Sequence, residues 1–293
     1  MDTTNPPYNA KALRFTRQHL MFTSMAIIGI LFAIVFWIPY IRYWASFGWD
    51  WFEVFKPAIL ATLRGGSPYA VEGFYSPPWL LLLMSPFTLI PSPFDLYAII
   101  AASIGVFVFV MLRLNAPKWI ISLFFLIPQI WWSILDGNVD FLVALGFVLP
   151  PQIGLILVLL KPQLGAAMAV FWAVEAFREG GIRAVIRLFA PVAAIIALSL
   201  AFFGWWPAYL TGAAEKYWNV SNWPYMLPVA LLLLYRAVRD RRQGLAITAG
   251  PFLSPYLHAQ SLPLAVLGLM PNEVECVIAI ASLWVIWFVR GIH

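Results

Sequence analysis

The sequence predicts an all-α, polytopic membrane protein, with residues 1–293 forming a single transmembrane domain. Three observations carry this. The chain is 62% hydrophobic and 11% charged, with a mean hydropathy of +0.85, whereas soluble domains run at roughly 45–50% apolar and about 25% charged. Its apolar runs are long and unbroken, without the alternation of a barrel strand, which leaves helices to satisfy the backbone in lipid. Its lysines and arginines gather in short segments between those runs. The same figures exclude a globular cytosolic enzyme and a disordered chain. The net charge of +5 belongs to those basic segments and is not a nucleic-acid signal. The one cysteine, Cys276, excludes a disulfide framework and a cysteine metal site.

The elements follow in order. Met1–His19 is polar and basic, a cytoplasmic tail, and no cleaved signal peptide is expected. Leu20–Ile41 is a full-length span. Residues 43–93 form a first outer loop. In it Trp51, Phe52, Phe55, Ile59, Leu60 and Leu63 recur at helical spacing, with Glu53, Lys56 and Thr62 opposite, which reads as an amphipathic helix at the interface. Pro77–Pro93 is apolar but short and interrupted by prolines. Phe94–Leu114 and Trp119–Leu135 read as spans. Phe141–Pro150 and Ile153–Leu160 are short runs around Pro150-Pro151-Gln152. Pro162–Phe177 and Leu188–Phe203 read as spans on either side of a basic amphipathic Arg178–Arg187. Residues 204–223 form a second outer loop. Pro224–Val238, Leu245–Pro255, Leu262–Met270 and Val274–Val289 complete about ten or eleven crossings.

Charge sets the orientation. With the N-terminus cytoplasmic and Pro77–Pro93 re-entrant, most lysines and arginines fall inside, among them Arg113, Lys118, Arg178, Arg183, Arg187, Arg239, Arg241 and Arg242. A full crossing at Pro77–Pro93 would move the later basic loops outside. The two runs flanking Pro150-Pro151 then both cross or both fail to cross. Ten helical residues cover only about 15 Å, so this region reads as half-helices or a thinned wall. Irregular backbone at membrane depth requires protein or a water-filled cavity beside it.

In this orientation, polar groups from five stretches share the outer face. They are Asp50 with Glu53, Tyr75-Ser76-Pro77-Pro78, Asp136 with Asn138 and Asp140, Lys161-Pro162-Gln163, and the segment Ser254 to Gln260 containing His258. Each has an ordinary structural reading. Asp50 reads as a helix N-cap or first-turn acid, Asp136 and Asn138 as caps, Lys161 as a snorkelling side chain, and His258 as a bundle histidine bonded to a carbonyl. Together they suit transfer of a group from a membrane-bound donor. A carboxylate takes a proton from an attacking hydroxyl, and a lysine and a histidine stabilise a phosphate leaving group. No P-loop, HExxH or GxSxG motif is present.

The order of these motifs resembles the GT-C class of polytopic glycosyltransferases, and within it family 87, the polyprenyl-phosphate-mannose-dependent mannosyltransferases. The resemblance runs over roughly residues 20 to 270. It is carried by Asp50-Trp51-Phe52-Glu53-Val54-Phe55, Gly65-Gly66-Ser67-Pro68-Tyr69, Tyr75-Ser76-Pro77-Pro78-Trp79, Leu159-Leu160-Lys161-Pro162-Gln163 and Leu253-Ser254-Pro255-Tyr256-Leu257-His258. Gly137-Asn138-Val139-Asp140 stands where the family has glycine-glutamine-x-asparagine. The chain ends earlier than is usual for the family.

The resemblance implies Asp50 as catalytic base. It places Glu53, Tyr75, Asp136, Asn138, Asp140, Lys161, Gln163 and His258 against substrate, with Lys161 and His258 facing the donor phosphate. It implies no metal and no cofactor, a polyprenyl-phosphate sugar as donor, a lipid or glycan as acceptor, and a place in the cell (inner) membrane. Two other readings stand beside it: a non-catalytic GT-C-like subunit of a membrane complex with partner subunits, and a lipid or sugar transporter.

Overall fold

The computed structural model describes residues 47–211 and 219–289. The expected tail Met1–His19 and first span Leu20–Ile41, and with them the side on which the N-terminus lies, fall outside these residues. Among the described residues every regular element is helical. Two helices, Phe94–Arg113 and Pro162–Phe203, are long and apolar enough to cross a membrane. A third span results if Lys118–Phe124 and Pro128–Leu135, bent by 71°, count as one.

The helix of the first loop packs deeper than its pattern suggests. Asp50–Phe55 is wound as a π-helix and continues as the α-helix Lys56–Leu63. The wider π turns shift the inward face. Trp51, Val54, Phe55, Ala58 and Ile59 are buried, while Leu63, expected on the apolar side, is 71% exposed. Lys56, expected on the polar side, is held within the protein. Its Nζ donates to Asp95 Oδ2 at 2.7 Å and to Ser92 Oγ at 2.6 Å. Asp95 is fully buried in the first turn of Phe94–Arg113, and it also accepts from Trp51 Nε1 at 2.9 Å and from the Leu96 N–H at 2.9 Å. A carboxylate at a helix N-terminus meets the positive end of the helix dipole. Here it fastens the loop helix to the long one, a role the sequence does not announce.

The expected continuous span Trp119–Leu135 is broken. Ile127 precedes a proline, which pushes it out of the helical region, and it is extended at φ −69°, ψ 123°. Beyond it, Pro77–Pro93 contains only the short helix Trp79–Met84 and the 3₁₀ turn Ser85–Leu89, so it lacks the length of a crossing. Asp140–Gly146 and Pro151–Val158 have 7 and 8 residues, or about 10–12 Å each. Neither arm has the length to cross. Lys161, just after the second arm, meets Asp140 at the start of the first at 2.5 Å, so the segment is a hairpin that returns to its starting face.

Glycines let this hairpin close. A Cβ on Gly154 would strike the Gly146 carbonyl, and one on Gly165 would strike the Val158 carbonyl. These are backbone atoms that cannot rotate away. Gly165→Ala is therefore expected to destabilise the fold by about 1–3 kcal/mol, read as a lower melting temperature. An unchanged melting temperature would show that the second arm can shift away from Pro162–Phe203 freely.

Pro162–Phe203 runs for 42 residues but is broken at Gly180 and Gly181, the latter at φ +63°, a conformation that glycine adopts without penalty. The expected separate segment Arg178–Arg187 is absent as such. Helix continues through its arginines on both sides of the break, giving arms of about 27 Å (162–179) and 33 Å (182–203). Arg178 ties the first arm to Leu227–Asp240 by donating to the Val238 carbonyl at 2.5 Å. The later expected spans are shorter than the pattern indicates. They resolve into Leu227–Asp240, Gln243–Ala249 with the 3₁₀ turn Gly250–Leu253, and Leu264–Leu267, while Glu273–Val289 agrees with expectation.

Candidate functional site

Three backbone devices assemble the site. First, the Gly48 N–H donates to the Leu135 carbonyl at 3.0 Å and the Trp51 N–H to the Asp136 carbonyl at 3.0 Å. Gly137, at φ +73°, makes this approach possible, because a Cβ there would sit 2.8 Å from Trp51 Cβ. Asp50 is thereby set beside Asp136 and Asn138. Second, the glycine-packed hairpin carries Lys161 back to Asp140. Third, the segment from Ser254 to Gln260 is strapped down by Asn219 and Ser221. Asn219 Nδ2 donates to the Pro255 carbonyl at 2.7 Å, Asn219 Oδ1 accepts from the Leu257 N–H at 3.0 Å, and Ser221 Oγ donates to the Ser254 carbonyl at 2.6 Å. The two loops meet through rings: Tyr69 stacks on Tyr209 at 4.4 Å and Trp79 meets Trp206 edge-on at 5.5 Å.

These elements enclose a cavity of about 600 Å³. Asp50, Tyr75, Asp136, Asn138, Lys161, Gln163 and His258 all line it, so the sequence-predicted residues from all five stretches reach one space. Two candidates do not. Glu53 is exposed and points away from the cavity, because only one side of its helix faces inward. Asp140 is fully buried beneath the wall and serves it indirectly.

A linked set of polar contacts runs along the wall. Lys161 Nζ donates to Asp140 Oδ1 at 2.5 Å, Asn138 Oδ1 at 2.8 Å and Ser261 Oγ at 3.2 Å. An ammonium has three donors, so all three are committed. Asp140 also accepts from Ser133 Oγ at 3.1 Å and from Ser261 Oγ at 3.0 Å. Lys161 fixes the Asn138 amide with its oxygen toward the ammonium. The amide nitrogen is then free to donate to Asp50 Oδ2 at 2.5 Å. Gln260 Nε2 donates to the same oxygen at 3.3 Å. Both amides thus hold Oδ2, and Oδ1 accepts no hydrogen bond from the described residues. Of its two structural readings, Asp50 is the first-turn acid of its helix and not the cap. The cap residue is Trp49, with no side-chain cap bond, and the carboxylate turns into the cavity instead. Among the described residues, no arginine or lysine pairs with it directly.

Burial dominates the electrostatics. It raises the Asp50 carboxyl above its ordinary value, against the lowering effects of the Asn138 bond and the Lys161 charge. Burial, reinforced by the Asp50 charge, pushes Asp136 up to about 8, so at neutral pH it holds a proton. Burial and the Lys161 charge hold His258 down at about 4, so its imidazole is neutral at pH 7. It contributes no positive charge toward a phosphate.

A pH prediction follows for Asp136. Between its unfolded value of 3.8 and about 8, the folded state binds the extra proton, so stability falls as pH rises through that window. Asp136→Asn carries no such proton. Its melting temperature is expected to exceed that of the natural chain above pH 8 and to vary less with pH. Parallel curves for the two proteins from pH 5 to 9 would refute the assignment.

Among the described residues, no group of three or more His, Cys, Asp or Glu side chains is arranged to hold a metal ion. Gln260, which ends the stretch from Ser254, and the buried Ser261 beside it are given no individual role by the sequence. Their signal was position, two and three residues beyond His258. Comparison with protein-family models, curated proteins and solved structures gives no match. Among the described residues, the fold and site define an all-helical protein with membrane-length helices and a carboxylate-lined cavity.

Proposed function

We propose that the chain is a polytopic integral-membrane glycosyltransferase of GT-C type, in the cell membrane with the N-terminus cytoplasmic. It moves a sugar, mannose by the family resemblance, from a polyprenyl-phosphate donor to a lipid or glycan acceptor. One observation supports this most. Asp50 presents a single open carboxylate oxygen to a cavity, while two amides hold the other. That is what a general base requires: a fixed orientation, one free lone-pair face, and a pKa raised toward the working pH.

In this reaction the acceptor hydroxyl oxygen bonds to the anomeric carbon of the donor sugar. The bond from that carbon to the phosphate oxygen breaks, and its electron pair leaves with the polyprenyl phosphate. Asp50 Oδ1 takes the hydroxyl proton. Attack opposite the leaving group inverts the anomeric centre. Lys161 supplies the positive field for the departing phosphate. Its longest contact, to Ser261 at 3.2 Å, is the one most readily exchanged for a phosphate oxygen.

The test is transfer from radiolabelled polyprenyl-phosphate mannose in membranes holding the natural chain or Asp50→Asn. Transfer abolished by the substitution supports the assignment. Absence of transfer by the natural chain from any lipid-phosphate sugar would refute it and favour the non-catalytic subunit.

A further inference from the structure

The wall beside Asp50 carries acceptors that no part of the protein uses. Among the described residues, five buried side chains have a polar atom without a hydrogen-bond partner, and two of them, His258 Nδ1 and Gln260 Oε1, lie on the segment that lines the cavity. Gln260 is only 5% exposed. A buried unpaired acceptor costs about 1–3 kcal/mol, and native interiors hold few of them. The Gln260 amide orientation is not free to change. Turning it over would place its carbonyl against Asp50 Oδ2 and leave its NH₂ unpaired. Asp50 therefore dictates that Oε1 stays the unpaired end.

The charges narrow the choice of ligand. Asp50 Oδ1 and Gln260 Oε1 are acceptors, and so is the unpaired Nδ1 when the imidazole proton is on Nε2. A phosphate placed here would face oxygen with oxygen. A neutral ligand rich in hydroxyl donors meets each group with a partner.

We infer that Gln260 reads a second hydroxyl next to the one engaged by Asp50, so that this wall takes a vicinal diol of a neutral polyol. The bond from Gln260 Nε2 to Asp50 Oδ2 ties the two side chains together, and both residues line the cavity, with Oε1 buried and unpaired behind the Gln260 amide nitrogen. Hydroxyls on neighbouring ring carbons present two donors in the matching arrangement. The inference rests on the same cavity as the proposed transferase and deepens it. It makes Gln260 a specificity residue for the acceptor and places the donor phosphate away from this wall, toward Lys161.

The experiment uses the full chain in detergent micelles, with methyl α-mannoside and its 2-deoxy and 3-deoxy analogues as probes and inorganic phosphate as competitor. Tryptophan fluorescence reports binding, since Trp49 and Trp132 line the cavity. The natural chain is expected to bind the mannoside about tenfold more tightly than one of the deoxy analogues, a typical value for one hydrogen bond to a buried group. Gln260→Met is expected to lose that preference. Gln260→Glu, of equal length, is the second variant should the first misfold. Its carboxylate repels Asp50 and should weaken the mannoside at least as much. Equal binding of all three glycosides by the natural chain, no binding of any, competition by phosphate, or an intact preference in a folded Gln260 variant would each overturn the inference. Diol preference without sugar transfer would leave it standing and remove the transferase reading. Transfer without diol preference would do the reverse.

Discussion

Asp50→Asn is expected to lower sugar transfer by about 10²–10⁴-fold with the fold unchanged. The substitution is close to isosteric. An asparagine carbonyl can take the place of Oδ2 and accept from Asn138 and Gln260, while its NH₂ replaces the open Oδ1. What disappears is the lone pair that receives the proton. Because burial raises the Asp50 carboxyl, the rising limb of the pH–rate profile should lie above the ordinary carboxylate range, as the base works only when ionised. A falling limb near pH 8 is expected where Asp136 loses its proton and a second negative charge opposes the departing phosphate. Single-turnover transfer from pH 5 to 9 measures both limbs. A variant with near-full activity at any pH would remove Asp50 from the chemistry.

The sequence is most legible where physical constraints are one-dimensional. Hydropathy announces Phe94–Arg113 and the apolar arms of Pro162–Phe203, and charge placement brings Asp50, Tyr75, Asp136, Asn138, Lys161, Gln163 and His258 to one face, where the cavity gathers them. It is least legible where a residue's role depends on a distant partner. Lys56 has the periodicity of a solvent-facing residue, yet a buried Asp95 far along the chain captures it. Glu53 shares the motif of Asp50 but sits on the other side of the helix. The shift of the inward face to Val54 and Ala58 comes from π winding, which a period of 3.6 does not anticipate. The hairpin at Pro150-Pro151 is left open between two topologies by length alone. The Asp140–Lys161 contact selects between them. Gln260 is hidden for a different reason. An amide is ordinary in a loop, and only the unpaired Oε1 and the bond to Asp50 single it out.

Lys161→Met is expected to cost about 3–5 kcal/mol of stability, the range found when one partner of a buried ion pair is removed. Asp140 is fully buried, and Lys161 is its only cationic partner among the described residues. Without it, the carboxylate keeps the hydroxyls of Ser133 and Ser261, and neutral donors recover only part of a buried charge. The loss reaches Asp50 as well. Asn138 is oriented by the ammonium on one side and donates to Asp50 on the other, so removing the lysine frees the amide to turn. Stability and activity should therefore separate in a second variant. Adding Asp140→Asn to Lys161→Met removes the orphaned charge and should restore most of the melting temperature, because the two sites are directly coupled. It should not restore transfer, since Asn138 remains unoriented and the positive field is absent. Thermal unfolding and transfer measured on both variants decide the matter. If the double variant melts no higher than Lys161→Met, the ion pair is not what holds the hairpin. If it regains transfer, Lys161 acts on stability alone.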